Sequence, residues 1–207
     1  MPKIACAPNG PYLVSDLAPS SLRRADDSIC ETALNAALCR CGGSKTKPFC
    51  DGTHKTNGFS DRNSAERSRD PREAYEGMRI TIFDNRSICS HAGHCSDRLK
   101  SVFRMNAEPW IDPDGATVES IIETIGKCPS GALSYAVDGV EAQPPARPPG
   151  VTVTDSGPYA VSGGIELMNV RFGEGASREH YALCRCGGSK NKPFCDGSHW
   201  HIGFKDP

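Results

Sequence analysis

Two stretches of this chain each place three cysteines and one histidine within 16 residues. Cys39, Cys41, Cys50 and His54 form the first set; Cys184, Cys186, Cys195 and His199 form the second. Thiolates with one imidazole suit zinc, Cu(I) or an iron–sulfur cluster. The spacing discriminates among them. Structural zinc sites usually leave roughly two to four residues between paired cysteines, whereas here one residue separates each pair. A two-iron cluster needs two outside ligands on each iron, and Cys-x-Cys followed by Cys-x₃-His supplies two and two. A Cys₃His zinc site is the alternative. A third set lies between these: Cys89, Cys95 and Cys128, the last followed by Pro129. Bacterial cubane-binding segments use C-x₂-C-x₂-C with a distant Cys-Pro. Here Ala92 stands where the second cysteine would be. Three ligands suit [3Fe–4S], the expected cluster; His91 or His94 as a fourth would make [4Fe–4S] the alternative. Each histidine is more simply read as a loop residue near sulfur. Cys6 and Cys30 have no counterparts and are expected to be free thiols.

The residues around the ligands fit a tight loop about a bulky inorganic core. Gly42-Gly43 and Gly187-Gly188 permit close backbone approach. Pro48 and Pro193 stiffen the approach to the third cysteine. Asp51 and Asp196 are placed to cap the turn that presents each histidine. Phe49 and Phe194 read as core residues that also shield the site, and Lys45 and Lys190 as solvated charges beside it.

An internal repeat organises the elements that position these groups. Leu38–Phe59 and Leu183–Phe204 are identical at 17 of 22 positions. Upstream, Gly10-Pro11-Tyr12-Leu13-Val14-Ser15 matches Gly157-Pro158-Tyr159-Ala160-Val161-Ser162, so each repeat is expected to open with a short strand. Domains are therefore expected at 1–62, 73–140 and 151–207, joined by the charged segment from Ser60 to Arg72 and the stiff Pro-rich run from Gln143 to Gly150. In the middle segment, alternation predicts a strand over Met78–Phe83, and the spacing predicts a short helix over Asp97–Phe103 capped by Ser96 or Asp97. A turn follows at Asp112–Gly115, then a helix over Thr117–Ile125 and a closing strand over Ala132–Val137.

The segments CRCGGSKTKPFCDGTH and CRCGGSKNKPFCDGSH resemble the CDGSH iron–sulfur domain of the mitoNEET-type family, whose pattern is C-x-C-x₂-S-x₃-P-x-C-D-G-S-H. The first copy has Thr53 where the second has Ser198. The resemblance implies one [2Fe–2S] cluster per copy, held by three Cys and one His, and two β-rich units paired as an intramolecular pseudo-dimer. The middle segment resembles a divergent single-cluster ferredoxin, which implies a small ferredoxin-like module. The expected fold class is thus α+β.

Composition bounds the function. The net charge is −1, with no basic run to track a nucleic acid, and no apolar stretch long enough for a membrane helix. Met1–Cys6 lacks the apolar core of a signal peptide. Eleven cysteines then point to metal ligation in a reducing, cytoplasmic setting. No nucleophile–base pair or nucleotide-binding glycine pattern stands out, so no enzyme is expected. The expected function is electron transfer to a redox partner protein, by a monomer with the internal pseudo-dimer. Delivery of clusters to an apo iron–sulfur acceptor, or redox and pH sensing, is the alternative. Exchanging a thiolate for a neutral imidazole raises a cluster's potential and adds a protonatable ligand.

Overall fold

The computed structural model describes residues 1–64 and 72–206, so most of the expected linker between Ser60 and Arg72 lies outside the described residues. The chain is mostly β-structure with a few short helices. The first unit contributes β1 (Lys3–Cys6), β2 (Tyr12–Ser15), β3 (Leu22–Arg24) and β4 (Ala36–Leu38). The middle segment forms β5 (Glu73–Glu76), β6 (Ile80–Asp84), α1 (His94–Arg98), α2 (Val118–Ile125), β7 (Leu133–Val137) and β8 (Val140–Glu141). The last unit forms β9 (Gly150–Val153), β10 (Tyr159–Ser162), β11 (Glu166–Leu167), β12 (Tyr181–Leu183) and α3 (Ser198–His201).

The expected short strands are β2 and β10, but neither opens its repeat. Each pairs antiparallel with a preceding strand, β1 or β9, and with the strand that leads into the ligand loop, β4 or β12. Each sheet is then completed by the other unit. β11 lies parallel to β1, and β3 lies parallel to β9. These crossed pairings have a physical motive. Neither unit carries enough apolar side chains for a core of its own. Ile4, Tyr12, Val14, Leu22 and Leu38 of the first unit instead share one core with Val151, Val153, Tyr159, Val161, Tyr181 and Leu183 of the last. Tyr12 and Tyr159 meet at its centre, edge to face, with ring centroids 6.0 Å apart.

The middle segment has a separate core of Ile80, Ile82, Val102, Phe103, Ile111, Ile121, Ile125 and Leu133. Its antiparallel sheet runs β5-β6-β7-β8. The expected strands at Met78–Phe83 and Ala132–Val137 correspond to β6 and β7, and the helix at Thr117–Ile125 to α2. Thr117 caps α2, its side chain accepting a hydrogen bond from Ser120 N at 3.3 Å. The helix expected at Asp97–Phe103 is corrected. Gly93, in the left-handed region at φ +77°, turns the chain so that α1 starts at His94 and carries Cys95. Leu99 leaves the helical region, which lets Val102 and Phe103 drop fully buried into the core.

Candidate metal centres

Each repeated ligand loop is pinned to its own unit by the arginine inside Cys-x-Cys. Arg185 is fully buried; its Nε donates to Gly157 O at 2.9 Å, its Nη2 to Thr154 O at 2.7 Å, and its Nη1 pairs with Asp206. Arg40 is likewise buried and pairs with Asp61 at 3.4 Å. The aspartates act as expected. Asp51 accepts from Thr53 N at 3.0 Å and Lys45 N at 2.8 Å. Asp196 accepts from Ser198 N at 3.0 Å and Lys190 N at 2.8 Å. The Lys45 N–H foremost holds the Asp51 carboxyl well below the usual carboxylate range. Phe194 is a buried core residue against Phe172, with centroids 5.1 Å apart.

The eight ligand candidates come together in twos. Cys39 Sγ and Cys41 Sγ are 3.9 Å apart, and Cys184 Sγ and Cys186 Sγ 3.8 Å. Cys50 Sγ lies 3.3 Å from His54 Nδ1, and Cys195 Sγ 3.5 Å from His199 Nδ1. A tetrahedral metal with bonds of about 2.3 Å to sulfur and about 2.1 Å to nitrogen sets its sulfurs about 3.8 Å apart, and a sulfur and nitrogen about 3.6 Å apart. Each pair therefore fits one metal. Among the described residues no group of three or more such side chains converges on a single ion. Each loop thus offers two donor pairs, the number that a two-iron cluster would take up.

Burial shifts the protonation of these groups. The Cys195 and Cys39 thiols are pushed up chiefly by burial. Cys184 is pushed up and Cys186 down, foremost by the hydrogen bond between them. His199 is held below the usual imidazole range, by burial first and by the neighbouring His91 second, which favours the neutral, metal-binding ring.

The two loops pack back to back. A Cβ on Gly187, at φ +78°, would sit 2.7 Å from Cys41 O; one on Gly42, at φ +74°, would sit 2.5 Å from Cys186 O. Gly187→Ala therefore meets both a clash with backbone and a strained dihedral. It is expected to cost about 1–3 kcal/mol and to lower Tm by several degrees in a thermal melt. The loops are also clamped across the shared core. Tyr12 Oη donates toward Cys184 O at 2.9 Å and Pro193 O at 3.0 Å, and Tyr159 Oη toward Cys39 O at 2.9 Å and Pro48 O at 3.0 Å. Sequence reasoning missed both tyrosines and both arginines as site residues. The signal was present: all four are retained between the repeats.

Cys89, Cys95 and Cys128 line one cavity of about 220 Å³, together with Ala92, Arg86 and Pro129. Cys89 follows a 3₁₀ turn at Arg86–Ile88, Cys95 sits on α1, and Cys128 follows α2. Burial pushes the Cys89 thiol up to about 11, partly offset by Arg86, whose Nη1 is 3.9 Å from its sulfur. Both histidines of this loop are exposed and reach the cavity's rim. His91 is also used elsewhere: its ring covers Gly197, and its carbonyl accepts from Trp200 Nε1 at 3.2 Å. Cys6 and Cys30 are free thiols, and no cysteine forms a disulfide.

Family models match at three places. One described as iron-binding zinc finger CDGSH type matches residues 9–55 and again 156–200, and one described as a divergent 4Fe-4S mono-cluster matches residues 75–138. The chain belongs to the CDGSH iron-binding family. It carries two CDGSH domains flanking a divergent 4Fe-4S mono-cluster domain, and is an iron–sulfur protein. Similar curated proteins are the uncharacterized protein YjdI of Escherichia coli K12 and its namesake in E. coli O157:H7. Each is 39% identical over 61 residues, which is 30% of this chain and 80% of the relative. No solved structure matches the chain. Among the described residues no helix is long and apolar enough to cross a membrane.

Proposed function

We propose that this CDGSH family member is an electron-transfer protein with two [2Fe–2S] clusters and one cubane-type cluster. Cys39 and Cys41 would hold one iron and Cys50 and His54 the other, with Cys184, Cys186, Cys195 and His199 doing the same in the second loop. The pairwise donor spacing carries this reading over a Cys₃His zinc site. Cys89, Cys95 and Cys128 would hold the middle cluster. Ligand count, with Ala92 at the open corner, supports [3Fe–4S]. The description of the matched family favours [4Fe–4S] as the second reading, with His94 the better candidate for the fourth corner because His91 is engaged with Gly197 and Trp200. When bound, the clusters supply one-electron chemistry.

The chain's own residues hold the ligands still. The arginines, tyrosines and aspartates fix the loops, and the core shared by the two CDGSH units supports their pairing as an internal pseudo-dimer. Ligands tied down in this way favour electron transfer over cluster delivery. This reading includes no substrate chemistry.

Anaerobic purification with iron and sulfide analysis, plus EPR, tests it. The expected result is about seven or eight irons per chain with a matching amount of sulfide. An EPR signal from the oxidised protein marks [3Fe–4S]; a signal only after reduction at the middle site marks [4Fe–4S]. Zinc without sulfide would remove the proposal.

A further inference from the structure

The two CDGSH loops are near-copies in sequence, yet they occupy different surroundings. Cys186, Cys195 and His199 are 9%, 2% and 6% exposed. Their counterparts Cys41, Cys50 and His54 are all half-buried, and Lys45, Asp51 and Lys55 around them are exposed. The cause is the segment that carries Cys89. Asn191 Nδ2 donates to Ser87 O at 3.0 Å, and Trp200 Nε1 donates to His91 O at 3.2 Å. These two anchors lie two residues either side of Cys89. Between them the His91 ring covers Gly197, so close that a Cβ there would lie 2.7 Å from it. The stretch after the first unit adds a third tie: Asn63 Nδ2 donates to Lys192 O at 3.0 Å, and Ser64 N to Lys190 O at 2.9 Å.

The repeats differ at five positions: Thr46 against Asn191, Thr53 against Ser198, Lys55 against Trp200, Thr56 against His201, and Asn57 against Ile202. Asn191 and Trp200 are the two anchors. Ile202 approaches Gly188, where a Cβ would sit 2.9 Å from its Cδ1, but both residues stay exposed. Two of the five differences thus tie the second loop to the middle segment. Its other side meets the first loop through the Gly42 and Gly187 contacts. The ligand side chains of the second loop are therefore covered between the first loop and the middle site, while Cys41, Cys50 and His54 of the first loop stay half-exposed.

We infer that Cys39–His54 is the face at which this chain exchanges electrons with its partner, and that Cys184–His199 is a sealed internal relay joined to the Cys89 site. This rests on the iron–sulfur electron-transfer reading above, and the test separates the two. Cys50 and Cys195 fall in different tryptic peptides, so iodoacetamide labelling of the anaerobically purified chain, followed by mass spectrometry, reports on each loop. Cys50 is expected to react about tenfold faster or more, because at least two hydrogen bonds must break before the second loop opens. Asn191→Thr with Trp200→Lys gives the second loop the residues with which the first already folds. In that variant Cys195 is expected to approach the Cys50 rate, with Cys50 unchanged. Iron removal by bathophenanthroline disulfonate should show a fast and a slow phase in the wild type. The fast phase should be missing from Cys50→Ala and kept in Cys195→Ala. Equal labelling rates in the wild type, or a fast phase lost with Cys195 instead, would overturn the assignment. Both loops of one chain are compared in the same sample, so the labelling order reads their enclosure whichever metal they share. A chain found to hold zinc would end the electron-transfer reading while the labelling still decides whether the second loop is sealed.

Discussion

The variant His54→Cys/His199→Cys is expected to keep its visible absorbance in mild acid, where the wild type bleaches, and to lower the potential of both outer clusters by on the order of 100 mV or more. The ligand exchange explains both effects. Imidazole is neutral when it binds iron and leaves once protonated, whereas thiolate adds a negative charge that disfavours the reduced state. The replacement is sterically mild at His54, which is half-buried. At His199 it leaves a gap in a buried site, beside the exposed Trp200 ring 5.6 Å away. Absorbance during a pH titration and a redox titration followed by EPR check the two effects. Acid loss equal to the wild type's would remove the histidines from the ligand set.

The second large effect is expected to cross from one unit to the other. Tyr12→Phe should loosen the second ligand loop and Tyr159→Phe the first, because each hydroxyl donates to carbonyls of the opposite loop. Both phenols are almost fully buried, and burial holds them protonated as donors. Pro193 O still accepts from Cys184 N at 2.8 Å, and Pro48 O from Cys39 N at 2.7 Å, so the donors lost are those to Cys184 O and Cys39 O. Removing a donor from a buried carbonyl costs about 1–3 kcal/mol, which for a chain of this size lowers Tm by roughly 2–12 °C. Thermal melts give the magnitude. Labelling of Cys50 and Cys195 gives the crossing: Tyr159→Phe should accelerate Cys50 and Tyr12→Phe should accelerate Cys195. Acceleration within the same unit would contradict the exchanged arrangement of strands.

Much of the chemistry was legible in the sequence because metal ligands are fixed by residue type and short spacing. Cys-x-Cys and Cys-x₃-His come together within one loop, and a glycine pair and an aspartate a few residues away suffice to shape it. Thr117 as a helix cap and the alternation in β6 are similarly local. The helix at His94–Arg98 was misplaced because Gly93, a turn residue of the cysteine loop, sets its start, and because Val102 and Phe103 fill a core rather than a helix face.

What the sequence by itself determined is the donor set: eleven cysteines and histidines in three groups, two of them copies. What only the tertiary structure decided is how the groups relate. The swapped neighbours β3 and β11, the tyrosines that clamp the opposite loop and the shielding of Cys195 by the Cys89 segment all join residues more than a hundred positions apart. Such contacts form because two units with too few apolar residues for separate cores bury them together. Once they do, two loops of nearly the same sequence can no longer have the same surroundings.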